Sequence, residues 1–168
     1  MSRAAARAGS SPVDRRLGFV AVLSIVAVGA ALVSQHGFGM EPCPWCVLQR
    51  VIFLAIAVAC VIGLVFRGAT GRALGATLAL LLALGGIGAA LYQHFVAAAS
   101  QSCNLTLADK ILNFLTLPSL LPDVFSPRAS CADAAVSLLG IPYDFWSLAL
   151  YAIVGVTALS VLAGRAVR

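Results

Sequence analysis

The apolar residues of this chain fall into four long runs, at about 17–34, 47–66, 73–92 and 145–163. Each approaches the roughly 20 residues that a helix needs to cross a bilayer. The first run, Leu17–Val33, is slightly short alone, and Ser34 and Gln35 extend it into the interface. Backbone groups in lipid must be satisfied within their own segment, so these runs are expected to be helices. A transmembrane barrel would need short alternating strands, and the pattern contains none. The stretches at about 35–46 and 93–144 are then the loops of one membrane face. Within the longer loop, Ile111–Leu121 is apolar but too short to span, and Pro118 interrupts it. It is expected to form a short helix lying on the membrane surface. Pro122 and Pro127 mark a turn-rich approach to Cys131. The expected fold is an all-α membrane protein, one four-helix transmembrane bundle over residues 1–168.

Composition agrees with lipid as the main solvent. Hydrophobic residues make up 61% and charged residues 10% of the chain, against roughly 25% charged in a soluble domain. A small globule cannot bury that much apolar surface. The basic start followed by an apolar run has the outline of a signal peptide. No convincing small-residue cleavage site leads into a soluble domain, and three more spans follow, so the first run is expected to stay as a span. Gly75, Gly85, Gly86 and Gly88 are expected to let the third helix approach its neighbours closely.

Charge sets the expected orientation. Arg3, Arg7, Arg15, Arg16, Arg67, Arg72, Arg165 and Arg168 share one side with Asp14. The other side has Lys110 and Arg128 against Glu41, Asp109, Asp123, Asp133 and Asp144. Positive residues collect inside, so both termini are expected in the cytoplasm and the loops outside it. The net charge of +5 then reflects topology and anionic headgroups, and it does not call for nucleic acid as a partner.

Four of the five cysteines lie in the two loops, in the compartment where disulfides persist. Cys43-Pro44-Trp45-Cys46 stands where the first loop enters the second span. Proline suits the first turn of a helix, which puts Cys43 near the N-cap and Cys46 on the first turn. A helix N-terminus and a nearby cation both favour a thiolate. Arg50 is one turn beyond Cys46, on the same helical face. It also suits a bland role as an interfacial anchor. Gln49 near that face is placed to donate a hydrogen bond to a ligand or to a neighbouring helix. Cys103 and Cys131 form the second pair. Alone they would read as a structural disulfide that stabilises a loop by roughly 3 kcal/mol. With another dithiol on the same face, exchange between the pairs becomes chemically accessible. Four cysteines allow three pairings, and those within each loop are the expected resting state. A structural zinc site would need four ligands, and the spacing of these cysteines is not finger-like, so no metal is expected. Cys60 is expected only to pack inside its span. His94, at the outer end of the third span, is placed to help protonate a ligand, with mere solvation as the plainer reading. His36 has a weaker claim.

At these residues the chain resembles the DsbB family, the bacterial inner-membrane disulfide-bond formation proteins. The resemblance rests on C-P-W-C-V-L-Q-R running into the second span, Tyr92-Gln93-His94 ending the third, and two separated cysteines in the long loop. Cys131-Ala132-Asp133 and Leu139-Gly140-Ile141-Pro142, leading to Trp146, add to it. It implies a redox relay in which a periplasmic DsbA-like dithiol oxidase is reoxidised and its electrons pass to a membrane quinone, ubiquinone or menaquinone. By match, Cys103 exchanges with the partner, Cys131 pairs with Cys103, and electrons move to Cys43 and Cys46. Cys46 then lies beside the quinone with Arg50, and Gln49 and His94 are further candidates to contact it. This chain carries Gln49 where some family members have an acidic residue.

Two other readings are set against this one. A related four-helix thiol oxidoreductase, of the vitamin K epoxide reductase type or with a dedicated partner, usually places its cysteines differently. A tetraspan structural or transport protein with a stapled loop has no need of Arg50 one turn after Cys46.

Overall fold

The computed structural model describes residues 11–66, 68–99 and 106–166. Four helices in it are long and apolar enough to cross a membrane. They are α1 (Pro12–Phe38), α2 (Pro44–Val65), α3 (Ala69–Tyr92, prolonged by a π-helical turn Gln93–Ala97) and α7 (Tyr143–Ala166). Between α3 and α7 lie α4 (Leu107–Phe114), α5 (Leu117–Leu120), α6 (Pro122–Phe125) and a small hairpin of β1 (Ser137–Leu138) and β2 (Ile141–Pro142). The expected four-helix bundle is therefore present. Cys103, Arg3, Arg7, Arg67 and Arg168 lie outside the described residues.

The helices outrun their apolar stretches because local chemistry sets their ends. Ser11 and Asp14 form a reciprocal capping box with Pro12 between them, which starts α1 well before Leu17. Its far end runs through Gln35 and His36 to Gly39, whose φ of 65° closes the helix in the left-handed region. Cys43 caps α2, its sulfur accepting the backbone N–H of Cys46. Thr106 and Asp109 build a second capping box that starts α4, a signal not taken up in the reading of this loop. The apolar stretch 111–121 is consequently not one helix. Thr116, at φ 53°, ends α4, and Pro118 and Pro122 each sit in the first turn of a new short helix. Proline lacks the N–H that would continue the preceding helix. The Leu139–Gly140 turn has positive φ at both positions, the geometry of a tight hairpin. The Tyr143 backbone N–H then donates to the Val136 carbonyl and leads into α7.

Around the bundle, α2 packs between α1 and α3, and α7 closes the ring against α3 and, less extensively, α1. Leu17, Val20, Ile56, Tyr151 and Val154 fill the middle, and Cys60 is packed among them. The rings of Phe53 and Tyr151 stack with centroids 4.1 Å apart. Two glycines make this closeness possible. A Cβ on Gly75 would stand 2.8 Å from the Ala59 carbonyl oxygen, and one on Gly86 would strike the ring of Tyr151. Gly85 and Gly88 face open space instead, which corrects the expectation that all four glycines serve packing. Small residues at helix contacts suit a membrane interior, where lipid supplies no hydrophobic drive for association. At the end of the bundle away from the loops, Arg72 pairs with Asp14 at 2.7 Å. The loops sit on the opposite end. There Leu112 of α4 and Phe125 of α6 bury against Val47 of α2, while Leu107, Phe114, Leu120 and Leu121 remain exposed.

Candidate functional site

The site lies where the N-terminus of α2 meets the end of α3, the start of α7 and the folded loop. Because Pro44 opens α2 directly behind its cap, Cys43 and Cys46 fall on the same turn, with their sulfurs 2.7 Å apart. A disulfide needs about 2.05 Å between sulfurs, so the pair closes with little movement. Cys43 is fully buried, whereas Cys46 is partly open. Trp45 packs against Tyr92 at 4.6 Å between ring centroids and holds this turn against the end of α3.

Cys131 is brought from the far end of the long loop into the same packed cluster as Cys43. The loop is fastened there by the backbone N–H groups of Arg128 and Ala129, which both donate to the Pro42 carbonyl. The arrangement splits the acidities of the two thiols. The Cys131 partner raises the Cys43 thiol above the ordinary range, with further contributions from Cys46 and burial. Cys131 is lowered, chiefly by the neighbouring Cys43 thiol and secondarily by the Trp45 backbone N–H, against burial and the charges of Asp109 and Asp144. In the fully reduced cluster a thiolate is thus favoured on Cys131 over Cys43. The helix N-terminus favours a thiolate at Cys43, but burial beside two other sulfurs outweighs it.

Arg50 is buried, and its guanidinium is tied on two sides. Its Nη1 donates to Gln35 Oε1 at 2.6 Å and to the Val124 carbonyl at 3.0 Å. Gln35 in turn donates to the Asp123 carbonyl at 3.1 Å. The end of α1 and the loop helix α6 thus fix the orientation of the arginine on α2. Gln49 and Cys46 are linked through Gln93. Gln49 Nε2 donates to Gln93 Oε1 at 2.7 Å, and Gln93 Nε2 donates to Cys46 Sγ at 3.3 Å and also to Asp144 Oδ1. Asp144 Oδ2 faces His94 Nδ1 at 3.3 Å.

Two cavities meet at these side chains. A mainly apolar one of about 220 Å³ is bounded by Ala31, Phe53, Trp146 and Leu150, with Cys46, Gln49, Arg50, Gln93 and Asp144 on its polar wall. A wider one of about 480 Å³ opens between Phe38–Pro42 and the 129–136 loop. Both are lined by Cys46, Arg50 and Tyr143. Among the described residues, no three His, Cys, Asp or Glu side chains converge to hold a metal.

The sequence-predicted residues Cys43, Cys46, Gln49, Arg50 and Cys131 converge here. Cys103 lies outside the described residues. His94 stands behind Asp144 rather than on the wall of the smaller cavity, and Cys60 and His36 take no part. Sequence reasoning missed Gln35, Gln93, Asp144 and Tyr143. A buried carboxylate in the first turn of an apolar span was the available signal for Asp144, since such residues are costly unless they serve a function.

The family model described as "Disulfide bond formation protein DsbB" matches residues 14–161. The chain belongs to the DsbB family. Disulfide bond formation protein B of Aromatoleum aromaticum is 36% identical over 153 residues, 89% of this chain and 91% of that relative. Disulfide bond formation protein B 1 of Pseudomonas savastanoi pv. phaseolicola is 34% identical over 143 residues, 84% of this chain and 85% of its own length. Its counterpart in Pseudomonas aeruginosa is 33% identical over 140 residues, 80% of this chain and 85% of the relative. A DsbB-family chain with four apolar helices is a multi-pass membrane protein of disulfide bond formation, with a disulfide oxidoreductase role.

Proposed function

We propose that this protein is a thiol:quinone oxidoreductase of the bacterial inner membrane. It reoxidises a periplasmic DsbA-like dithiol and passes the electrons to a membrane quinone. The observation that carries the reading is the position of Cys43, clustered with Cys131 of the loop and with its sulfur 2.7 Å from that of Cys46. Cys46 in turn stands on the wall of an apolar cavity beside Arg50. In this reading the termini are cytoplasmic and the cysteine loops periplasmic, as the distribution of arginines favours. The periplasm is kept oxidising kinetically by such a relay rather than by a thiol buffer.

The exchange steps follow from the contacts. A partner thiolate attacks Cys103 of the Cys103–Cys131 disulfide and frees Cys131. Cys131, which the loop brings into one cluster with Cys43, attacks Cys43 and releases Cys46 at the cavity. The partner's second thiol resolves the mixed disulfide and leaves as the oxidised product. Cys103 then attacks Cys131, restoring their disulfide and leaving Cys43 and Cys46 reduced. A bound quinone supplies a two-electron acceptor for this dithiol. The cavity suits it, with apolar walls for a ring and the Arg50 guanidinium and Gln49 amide for carbonyl oxygens. Arg50 also stabilises negative charge on Cys46, one turn away.

The test is quinone reduction by the purified protein with a reduced DsbA-like partner, comparing wild type with Cys103→Ser. Rapid reduction that disappears in the variant supports the path from partner through loop to quinone. No reduction with any quinone, while both disulfides stay formed, would return the protein to the class of stapled structural or transport proteins.

A further inference from the structure

We propose that Asp144 delivers a proton into the cavity beside Cys46 and is recharged from outside by His94; this inference rests on the quinone reading above. Asp144 stands between the smaller cavity and His94. It lines the smaller cavity, and on its other side it packs in a tight apolar cleft with His94, Phe145 and Leu148. Its residue is 6% exposed, whereas the His94 side chain is 32% exposed. His94 Nδ1 lies 3.3 Å from one carboxyl oxygen, and Gln93 donates to the other. The more exposed imidazole therefore stands between the outside of the bundle and the buried carboxyl on the cavity wall.

Gln93 fixes the geometry. Its Oε1 is engaged by Gln49, so its amide NH2 must turn toward Cys46 and Asp144. The π-helical turn that starts at Gln93 buries this side chain and leaves its neighbour His94 at the edge. Such turns are frequent at functional sites. Electrons leaving Cys46 and a proton leaving Asp144 then enter the cavity from adjoining points on one wall. The other titratable groups near Asp144 are Cys46 and Arg50 from α2, Tyr143 beside it, and Cys131 from the loop.

Oxidation of Cys43 and Cys46 breaks two S–H bonds, forms one S–S bond, and yields two electrons and two protons. Reduction of a quinone to the hydroquinone consumes two of each. One proton reaches a ring oxygen from Asp144, and His94 replaces it from water. The thiol protons leave through the wider cavity on which Cys46 stands, and the second ring oxygen takes its proton from water there.

The test uses the full chain in lipid nanodiscs, ubiquinone-1 as probe and dithiothreitol as donor. Wild type is compared with Asp144→Asn, which keeps the size and an acceptor for Gln93, and with His94→Gln. Reduction rate against pH, ubiquinone-1 affinity by tryptophan quenching, and redox-difference infrared spectra are measured. Asp144→Asn should bind ubiquinone-1 normally, lose a carboxyl band present in wild type, and slow by about a hundredfold, within the range for positioned proton transfer. His94→Gln should slow reduction and be restored by added imidazole, a rescue that a purely structural role would not give. Wild-type rates in Asp144→Asn, or no redox-linked carboxyl band in wild type, would refute the relay while leaving the quinone reading intact. A wild-type protein that neither binds nor reduces ubiquinone-1 or other quinones would sink both together.

Discussion

Replacing Arg50 by alanine separates the two halves of the proposed relay. The guanidinium is buried, its Nη1 is held by Gln35 and the Val124 carbonyl, and the side chain lines both cavities beside Cys46. A hydrogen bond from a charged donor contributes about 1.5–3 kcal/mol in such a setting. Loss of one such bond to a quinone oxygen weakens binding by about ten- to a hundredfold. The partner-facing chemistry uses Cys103 and Cys131 and does not need the guanidinium. Arg50→Ala should therefore raise the KM for ubiquinone-1 by that factor, while a reduced DsbA-like partner is still captured as a mixed disulfide at Cys103. Arg50→Lys keeps the charge but not the planar fork that reaches two acceptors, and should fall between. The assay is quinone reduction at several ubiquinone-1 concentrations, run beside trapping of the mixed disulfide at the intact Cys103–Cys131 pair by a reduced partner whose second, resolving cysteine is replaced by serine. An unchanged KM in Arg50→Ala would refute the placement of the quinone. Loss of partner capture with an unchanged KM would show that Arg50 acts by holding α6 and the loop.

Two further outcomes are expected. In the fully reduced protein, Cys131 should be alkylated by iodoacetamide from a lower pH than Cys43, because the Cys43 contact lowers the one thiol and raises the other. Its onset should move back up in Cys43→Ala, which removes the donor, and an equal or reversed order in wild type would contradict the contact. Gly86→Ala should destabilise the bundle by about 1–3 kcal/mol, the usual range for overpacking, since its Cβ would meet the Tyr151 ring. Gly85→Ala faces open space and should be nearly silent in thermal unfolding.

Much of this protein was legible in the chain. Four apolar runs are enough to require spanning helices, because lipid offers backbone groups no other partner. The C-x-x-C before an apolar run, with arginine one turn later, places a dithiol and a cation on one helical face by periodicity alone. Helix ends were less legible, because capping boxes at Ser11 and Thr106 extend helices into polar sequence that hydropathy assigns to loops.

Contacts between distant segments were decided by the tertiary structure alone. The union of Cys131 with Cys43 depends on a loop anchored at Pro42, and no spacing rule joins residues that far apart. The fixing of Arg50 by Gln35 and Val124 needs three elements to meet. Asp144 entered the sequence as one more charge on a loop. It became part of the site because α3 widens by a π-turn and α7 begins beside it, so that His94, Gln93 and the carboxyl touch. Periodicity along one segment assigns faces, whereas the acidity of a buried group depends on which side chains the other segments bring against it.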